Sequence, residues 1–126
     1  MNEEQITKYS MLKEEIEKLN IRKLKKETRS NYKNRVLKFL GILVENNITI
    51  SAFRNINNKH LMEYGKIELG KGRSVNAIIQ DIVAVKFFYN FQQNSHHVGR
   101  SRKIYLVDSK TLKNYFTKWR EQNERI

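Results

Sequence analysis

The sequence predicts an all-α protein, a compact bundle of four to five helices, from three observations. The 126 residues include no proline and only 5 glycines, so long helices meet few breaks. Apolar residues recur at helical spacing in several segments, which short polar or glycine-containing stretches separate. The length is that of one domain, and a hydrophobic fraction of 39% suffices for one modest core.

A first amphipathic helix is predicted over residues 3–24. Acidic residues open it and lysines close it, the order that the helix dipole favours. One face carries Tyr9, Leu12, Ile16 and Leu19. We expect this face to pack on the same domain. The alternative is that the helix packs against a neighbouring protomer.

A second helix is predicted over residues 28–46, with Thr28 as its N-cap and Asn46-Asn47 at its end. We expect Asn34, Lys38 and Glu45 to face water. The predicted core face consists of Tyr32, Val36, Phe39, Leu40 and Leu43.

Residues 48–57 contain apolar side chains without helical period, which indicates an ordered loop inserted into the core. The apolar residues are Ile48, Ile50, Phe53 and Ile56. Asn57 or Asn58 then caps a short third helix that runs to about Leu69. That helix buries Leu61, Met62 and Tyr64.

The segment 70–73 (Gly-Lys-Gly-Arg) predicts a turn, after which Ser74 caps a fourth helix over about 75–93. Its first turns are polar, whereas its C-terminal half is apolar nearly all round and is therefore expected to be buried on several sides. The main apolar stripe is Ile78, Ile82, Val85 and Tyr89.

Residues 94–103 form a polar, basic linker, and Asp108 or Ser109 caps a last helix that runs to about Asn123. Its apolar side consists of Leu112, Tyr115, Phe116 and Trp119. We expect 1–93 to form the main domain, with 94–126 packed on it through Phe87 and Phe91. The alternative is an arm that contacts a protein or DNA.

The formal net charge is +12, and it is placed unevenly. Residues 1–27 hold 7 Lys/Arg and 6 Asp/Glu, whereas residues 28–126 hold 18 and 7, a net of +11. Such an excess is typical of nucleic-acid binding; an anionic membrane surface or an acidic protein are the alternatives. The absence of cysteine excludes disulfides and thiolate metal sites and fits a reducing cytoplasm.

Two helix starts lie within basic, polar clusters, and helix N-termini are natural phosphate sites. Asn and Gln side chains one or two turns further along can reach adenine edges in the major groove. The predicted DNA contacts are Lys25, Lys26, Arg29, Asn31, Lys71, Arg73, Ser74, Asn76, Gln80, Arg100, Arg102 and Lys103. If the chain binds DNA, we expect Arg73→Ala with Asn76→Ala to reduce DNA affinity and to leave folding intact.

Residues 22–93 resemble the core-binding (SAM-like N-terminal) domain of the tyrosine recombinases, the phage integrase family. The resemblance begins with Thr28, Tyr32 and Phe39, and continues with His60, Leu61 and Tyr64. It ends with Ser74, Asn76, Ile78, Lys86 and Tyr89.

The resemblance implies a SAM-like helical bundle that forms one jaw of a clamp around DNA, with its second and fourth helices at the major groove. It implies DNA contacts at Lys26, Arg29, Arg73, Ser74, Asn76 and Gln80. The catalytic groups of the family lie in a separate domain, which residues 94–126 do not match. We therefore expect either a piece of an integrase or a stand-alone phage or mobile-element protein, and Met1 favours the second.

The sequence predicts no enzyme, no metal and no cofactor. His97-x-x-Arg100 matches a recombinase motif only by chance in a basic linker, and the adjacent His96 and His97 have no further ligands nearby in sequence. Tyr115 is expected in a core or an interface. The acidic residues look scattered, without a buried pair suited to acid–base chemistry.

The function predicted is sequence-directed binding of double-stranded DNA by a bacterial or phage protein of the cytoplasm, with no membrane partner. A recombinase or a second protomer is a further expected partner, through the first or last helix. The alternative is a protein-interaction module or an inactive recombinase-like regulator, in which Trp119→Ala would have the larger effect.

Overall fold

A computed structural model describes residues 1–95 and 106–124. These residues form five α-helices and one short 3₁₀ turn, which confirms the all-α bundle. The helices are α1 (Glu3–Glu17), α2 (Lys26–Glu45), α3 (Asn58–Gly70), α4 (Val75–Ser95) and α5 (Ser109–Glu124), and the 3₁₀ turn is Phe53–Asn55. Within the described ranges, none of the helices combines the length and the apolar character that crossing a bilayer requires.

Helices α2 and α4 form the centre of the bundle and run antiparallel. Tyr32 meets Phe87 edge-on, with ring centroids 5.7 Å apart, whereas Arg35 meets Asp81. A later residue of α2 therefore pairs with an earlier residue of α4. Helix α1 packs on α2, and α5 packs on α3 and α4. One continuous apolar core joins all five helices.

Helix α1 ends at Glu17, so the prediction of a helix to residue 24 was wrong. The chain leaves the helix because Ile21 must turn back into the core, where it is 1% exposed. Arg29 fixes this return by donating from Nη1 to the Ile21 carbonyl at 2.9 Å. The start of α1 carries a capping box between Asn2 and Gln5 that satisfies two backbone N–H groups.

Helix α2 begins at Lys26, two residues before the predicted start, and Thr28 lies inside its first turn. The prediction of Thr28 as the N-cap was therefore wrong. Lys25 takes the N-cap position without a side-chain capping bond, and its carbonyl accepts from the Arg29 amide at 2.9 Å. Glu27 in the first turn stabilises the exposed helix start through the dipole.

The loop between α2 and α3 is inserted into the core as predicted. Asn47 reverses the chain with a φ of 57°, a left-handed conformation that Asn tolerates better than most residues. Ile50, Phe53 and Ile56 are buried. Asn57 caps α3 and forms a capping box with His60, the other ring nitrogen of which lies 2.9 Å from the Thr49 carbonyl oxygen.

Helix α5 closes the bundle beside α3. Phe116 is fully buried over Gly65, where even a single added carbon would overlap its ring. The Val107 amide donates to Asn58 Oδ1 at 2.7 Å, and Asp108 caps the helix by accepting from the Thr111 amide. Phe87, which was predicted to meet the last helix, packs edge-on against Tyr32 of α2. Helix α4 runs to Ser95, slightly beyond its predicted end.

Candidate nucleic-acid interface

Two carboxylates, Glu68 of α3 and Asp81 of α4, are each only 1% exposed. The prediction of scattered acidic residues without a buried pair was therefore wrong. Thirteen positions separate the two in the chain, and α3 and α4 bring them together around Tyr64 and Arg73. Because buried carboxylates require partners, four cations converge on them.

The cations bind the two carboxylates at hydrogen-bonding distance. Arg73 Nη1 contacts Glu68 Oε1 at 3.1 Å and Asp81 Oδ2 at 2.5 Å, bridging the two acids. Arg35 Nη1 contacts Asp81 Oδ1 at 2.7 Å. The ammonium groups of Lys38 and Lys71 each lie 3.3 Å from an oxygen of Glu68. We call these six residues the carboxylate cluster; they are Arg35, Lys38, Glu68, Lys71, Arg73 and Asp81.

The cations determine the ionisation of the cluster. Burial by itself raises the pKa of Glu68, but hydrogen bonds from Lys71, Lys38 and Arg73 outweigh it, so the pKa lies below its usual value. Burial likewise raises the pKa of Asp81, and hydrogen bonds from Tyr64, Arg73 and Arg35 bring it below normal. Burial and the bond to Asp81 raise the pKa of Tyr64. Both acids are therefore ionised and Tyr64 is neutral at pH 7.

A polar face lies along the seam between α2 and α4. Asn31, Asn34, Arg35 and Lys38 share one stripe of α2 by helical spacing, and Asn76 and Gln80 share one stripe of α4. Arg35 Nη2 donates to Gln80 Oε1 at 3.3 Å, which joins the two stripes. We call this surface the α2/α4 face; its exposed members are Asn31, Asn34, Lys38, Asn76 and Gln80.

The two basic helix starts lie at opposite ends of this face, because α2 and α4 are antiparallel. From the Arg35–Gln80 contact, Lys26 is nine residues away in one direction and Ser74 is six residues away in the other. At 1.5 Å per residue, the two starts are separated by about 20 Å along the helix pair. The structure therefore does not bring the predicted contacts into one cluster, but places them at both ends of one surface.

The start of α2 is open to solvent. Lys25 and Lys26 are exposed, and Arg29 is half-buried because it binds the Ile21 carbonyl. A cavity of about 320 Å³ lies beside this helix start, with Lys26, Arg29 and Lys33 among its lining residues. Since α2 has no side-chain capping bond, no N-cap side chain satisfies its first backbone N–H groups, the groups that bind anions at helix starts.

The start of α4 is more tightly organised. Ser74 caps the helix, its Oγ accepting from the Ala77 amide at 3.2 Å. Asn76 is exposed one turn before Gln80. Arg73 and Lys71, both predicted DNA contacts, are bound to the buried carboxylates. Their side chains nevertheless stay 26% and 51% exposed.

Sequence reasoning missed Arg35, Glu68 and Asp81 as site residues, and it treated Lys38 only as a residue facing water. The available signal was the spacing of Asn31, Arg35 and Lys38 on one helical stripe. Three predicted contacts, Arg100, Arg102 and Lys103, lie outside the described residues, as do His96 and His97.

Comparisons with known proteins add no relative. No protein-family model, curated protein or solved structure matches this chain.

Proposed function

We propose that this chain binds double-stranded DNA through the α2/α4 face, in the manner of a recombinase-type core-binding domain, with no catalytic step assigned to the chain itself. The basic ends of the face contact backbone phosphates on either side of a major groove. The carboxamides between them contact base edges, and adenine is the base that Asn and Gln pair with best.

The observation that carries this proposal is the spacing of charge and carboxamides along the seam. The cationic ends are separated by about 20 Å, enough to reach beyond both edges of a major groove that is about 12 Å wide. Asn31, Asn76 and Gln80 lie between them and are exposed. Phosphate contacts position a protein on DNA, whereas base contacts specify the sequence, and this surface offers groups for both.

The distribution of carboxylates supports the same reading. Residues 28–95 contain ten Lys/Arg and four Asp/Glu. Two of those four acids, Glu68 and Asp81, are buried and bound to cations. Of the other two, Glu45 is exposed at the C-terminal end of α2 and Glu63 is partly exposed on α3. Glu27 in the first turn of α2 is a further exposed acid beside Lys25 and Lys26, so one negative charge remains at that end, and few others repel a phosphate backbone along the α2/α4 face.

The test is fluorescence anisotropy with a labelled duplex, comparing wild type with Asn76→Ala/Gln80→Ala. Both side chains are exposed, so we expect the variant to fold normally and to lose about 1–3 kcal/mol per lost base contact on its preferred sequence. Asn114→Ala/Gln122→Ala on α5 is the matched control, since it removes two exposed carboxamides far along the chain from the face. Equal binding by wild type and both variants would contradict a DNA-reading role for this face.

A second candidate function is protein interaction through α1, for which the exposed apolar side chains Ile6 and Met11 provide the specific observation. They are 51% and 66% exposed. The apolar side of α5 is used within the bundle, where Leu112 and Phe116 are buried, so α1 is the better candidate surface. Their separation of five positions in the chain places them about 140° apart around the helix, on opposite flanks of α1. Sedimentation of wild type, Ile6→Ser and Met11→Ser, each over a range of concentrations, tests which flank joins two copies.

A further inference from the structure

The carboxylate cluster contains more positive charges than its two carboxylates neutralise. Four cations surround two carboxylates, which leaves a net charge of +2 at this position. The acids are shielded from solvent, whereas the side chains of the cations remain between 26% and 51% exposed. The outward side of the cluster is therefore cationic.

The cations also keep donors that the buried acids do not use. An ammonium group has three N–H donors, and the bond of Lys38 or Lys71 to Glu68 uses one of them. Arg73 contacts both carboxylates through Nη1, and a guanidinium has five N–H donors in total. An incoming anion can thus be bound without breaking the internal pairs.

The position of the cluster matches the α2/α4 face. Arg35 bonds simultaneously to Asp81 of the cluster and to Gln80 of the face. Lys71 and Arg73 immediately precede the capped start of α4, and Lys38 ends the exposed stripe of α2. Long cationic side chains lose rotamer entropy when they are ordered for binding, and the internal ion pairs have already imposed part of that order.

We propose that Glu68 and Asp81 assemble Arg35, Lys38, Lys71 and Arg73 into one binding site for a phosphate group of the DNA backbone. This deepens the proposed function and rests on it. The two carboxylates are positioning residues: they do not touch the phosphate, but hold the four cations where a phosphate meets several donors at once. Phosphate contact by Arg35 and Lys38 was not foreseen from the sequence.

The test depends on the sign of one mutational effect. Glu68→Gln removes a negative charge and raises the net charge from +12 to +13. Plain electrostatics predicts tighter binding to DNA, because less repulsion remains. If Glu68 positions cations, the same variant binds a labelled duplex about tenfold more weakly, the loss expected when well-placed charged hydrogen bonds to phosphate are misplaced.

The matched control is Glu45→Gln, which makes the same chemical change at an exposed site on α2. We expect Glu45→Gln to bind as tightly as wild type or more tightly. If Glu68→Gln also binds more tightly, that result overturns the phosphate site and leaves the proposed function intact. If wild type itself binds duplex no better than an unrelated protein of equal charge, both the phosphate site and the proposed function are contradicted.

Circular dichroism shows whether Glu68→Gln is folded before its affinity is compared. If it does not fold, Lys38→Gln/Lys71→Gln replaces it, since both side chains are partly exposed. Its control is Lys110→Gln/Lys113→Gln on α5, which removes the same charge from exposed positions. A larger loss of duplex affinity in Lys38→Gln/Lys71→Gln than in Lys110→Gln/Lys113→Gln supports the phosphate site, and equal losses in the two variants overturn it.

Discussion

The Tyr64 hydroxyl donates a 2.6 Å hydrogen bond to Asp81 Oδ2, and both residues are almost fully buried. This bond joins α3 to α4 beneath the guanidinium of Arg73. It places an ionised acid, a neutral phenol and a cation in one hydrogen-bonded network, so removing any one member weakens the interactions of the others. Arg73 lies just before the start of α4 and Asp81 nearly two turns into that helix, so the network adjoins the first turns of α4 in the proposed DNA surface.

Arg73→Ala is expected to destabilise the protein, contrary to the expectation from sequence that it leaves folding intact. The substitution removes the bridge between two buried carboxylates. We expect a loss of about 2–4 kcal/mol in the free energy of unfolding. This loss lies at the low end of what breaking a buried ion pair costs, because Arg35, Lys38 and Lys71 still neutralise the two carboxylates. Urea denaturation measures it.

Arg54→Ala is the control for that experiment, because Arg54 is exposed on the 3₁₀ turn. We expect it to change stability by less than about 0.5 kcal/mol. Equal stability of the Arg73 and Arg54 variants would contradict a structural role for the bridge.

Acid is expected to destabilise the fold through Asp81 and Glu68. Both have pKa values below normal in the folded protein, so their contribution is fully present above the unfolded-state values of about 4. It is lost as the pH falls through the lower folded-state values. Thermal melting from pH 7 to pH 2 measures this, and Asp81→Asn should show a shallower acid dependence than wild type. An unchanged slope in that variant would assign the acid sensitivity to other groups.

Gly65→Ala is expected to destabilise by about 1–3 kcal/mol, the cost of overpacking, because the added methyl group overlaps the buried ring of Phe116. Gly70→Ala is the control. It lies on the same helix with open space around its Cα, and we expect it to be neutral or stabilising, since Ala favours helices more than Gly. Chemical denaturation of both variants compares the two effects; a stable Gly65→Ala protein would show that α5 can shift away from α3.

Thr28→Ala and Asp108→Ala are expected to differ, because only Asp108 caps a helix. Losing the Asp108 cap should cost about 1 kcal/mol, whereas Ala at position 28 lies inside α2 and should be neutral or slightly favourable. Thermal melts measure both. A larger loss at Thr28 would indicate that α2 begins where the sequence pattern placed it.

The helical periodicity of the sequence was sufficient to predict the bundle and most of its core. Val36, Phe39, Ile78 and Ile82 are buried as expected, because one apolar face per helix is a local pattern. The end of α1 and the start of α2 were not predictable in the same way. Ile21 leaves the helical path to reach a core to which α2 contributes, so a tertiary requirement overrides the local pattern.

The candidate site was predicted in part. Exposed positions such as Asn76 and Gln80 follow from helical spacing alone. The carboxylate cluster does not, because Arg35 and Asp81 are far apart in the chain and meet only through the antiparallel packing of α2 and α4. The burial of Glu68 and Asp81 is likewise a property of the assembled fold, since nothing in their immediate sequence distinguishes them from solvated acids.

The most direct test of DNA binding by the α2/α4 face is a two-dimensional ¹⁵N–¹H NMR titration of the labelled protein with a short duplex. We predict that the largest amide shift changes fall on residues 31–38 and 71–80, with smaller changes at 25–29, and that they reverse on adding salt. Changes confined to α1 and α5, or no changes at protein concentrations near 0.1 mM (about the weak limit for non-specific binding), would contradict DNA binding through this face.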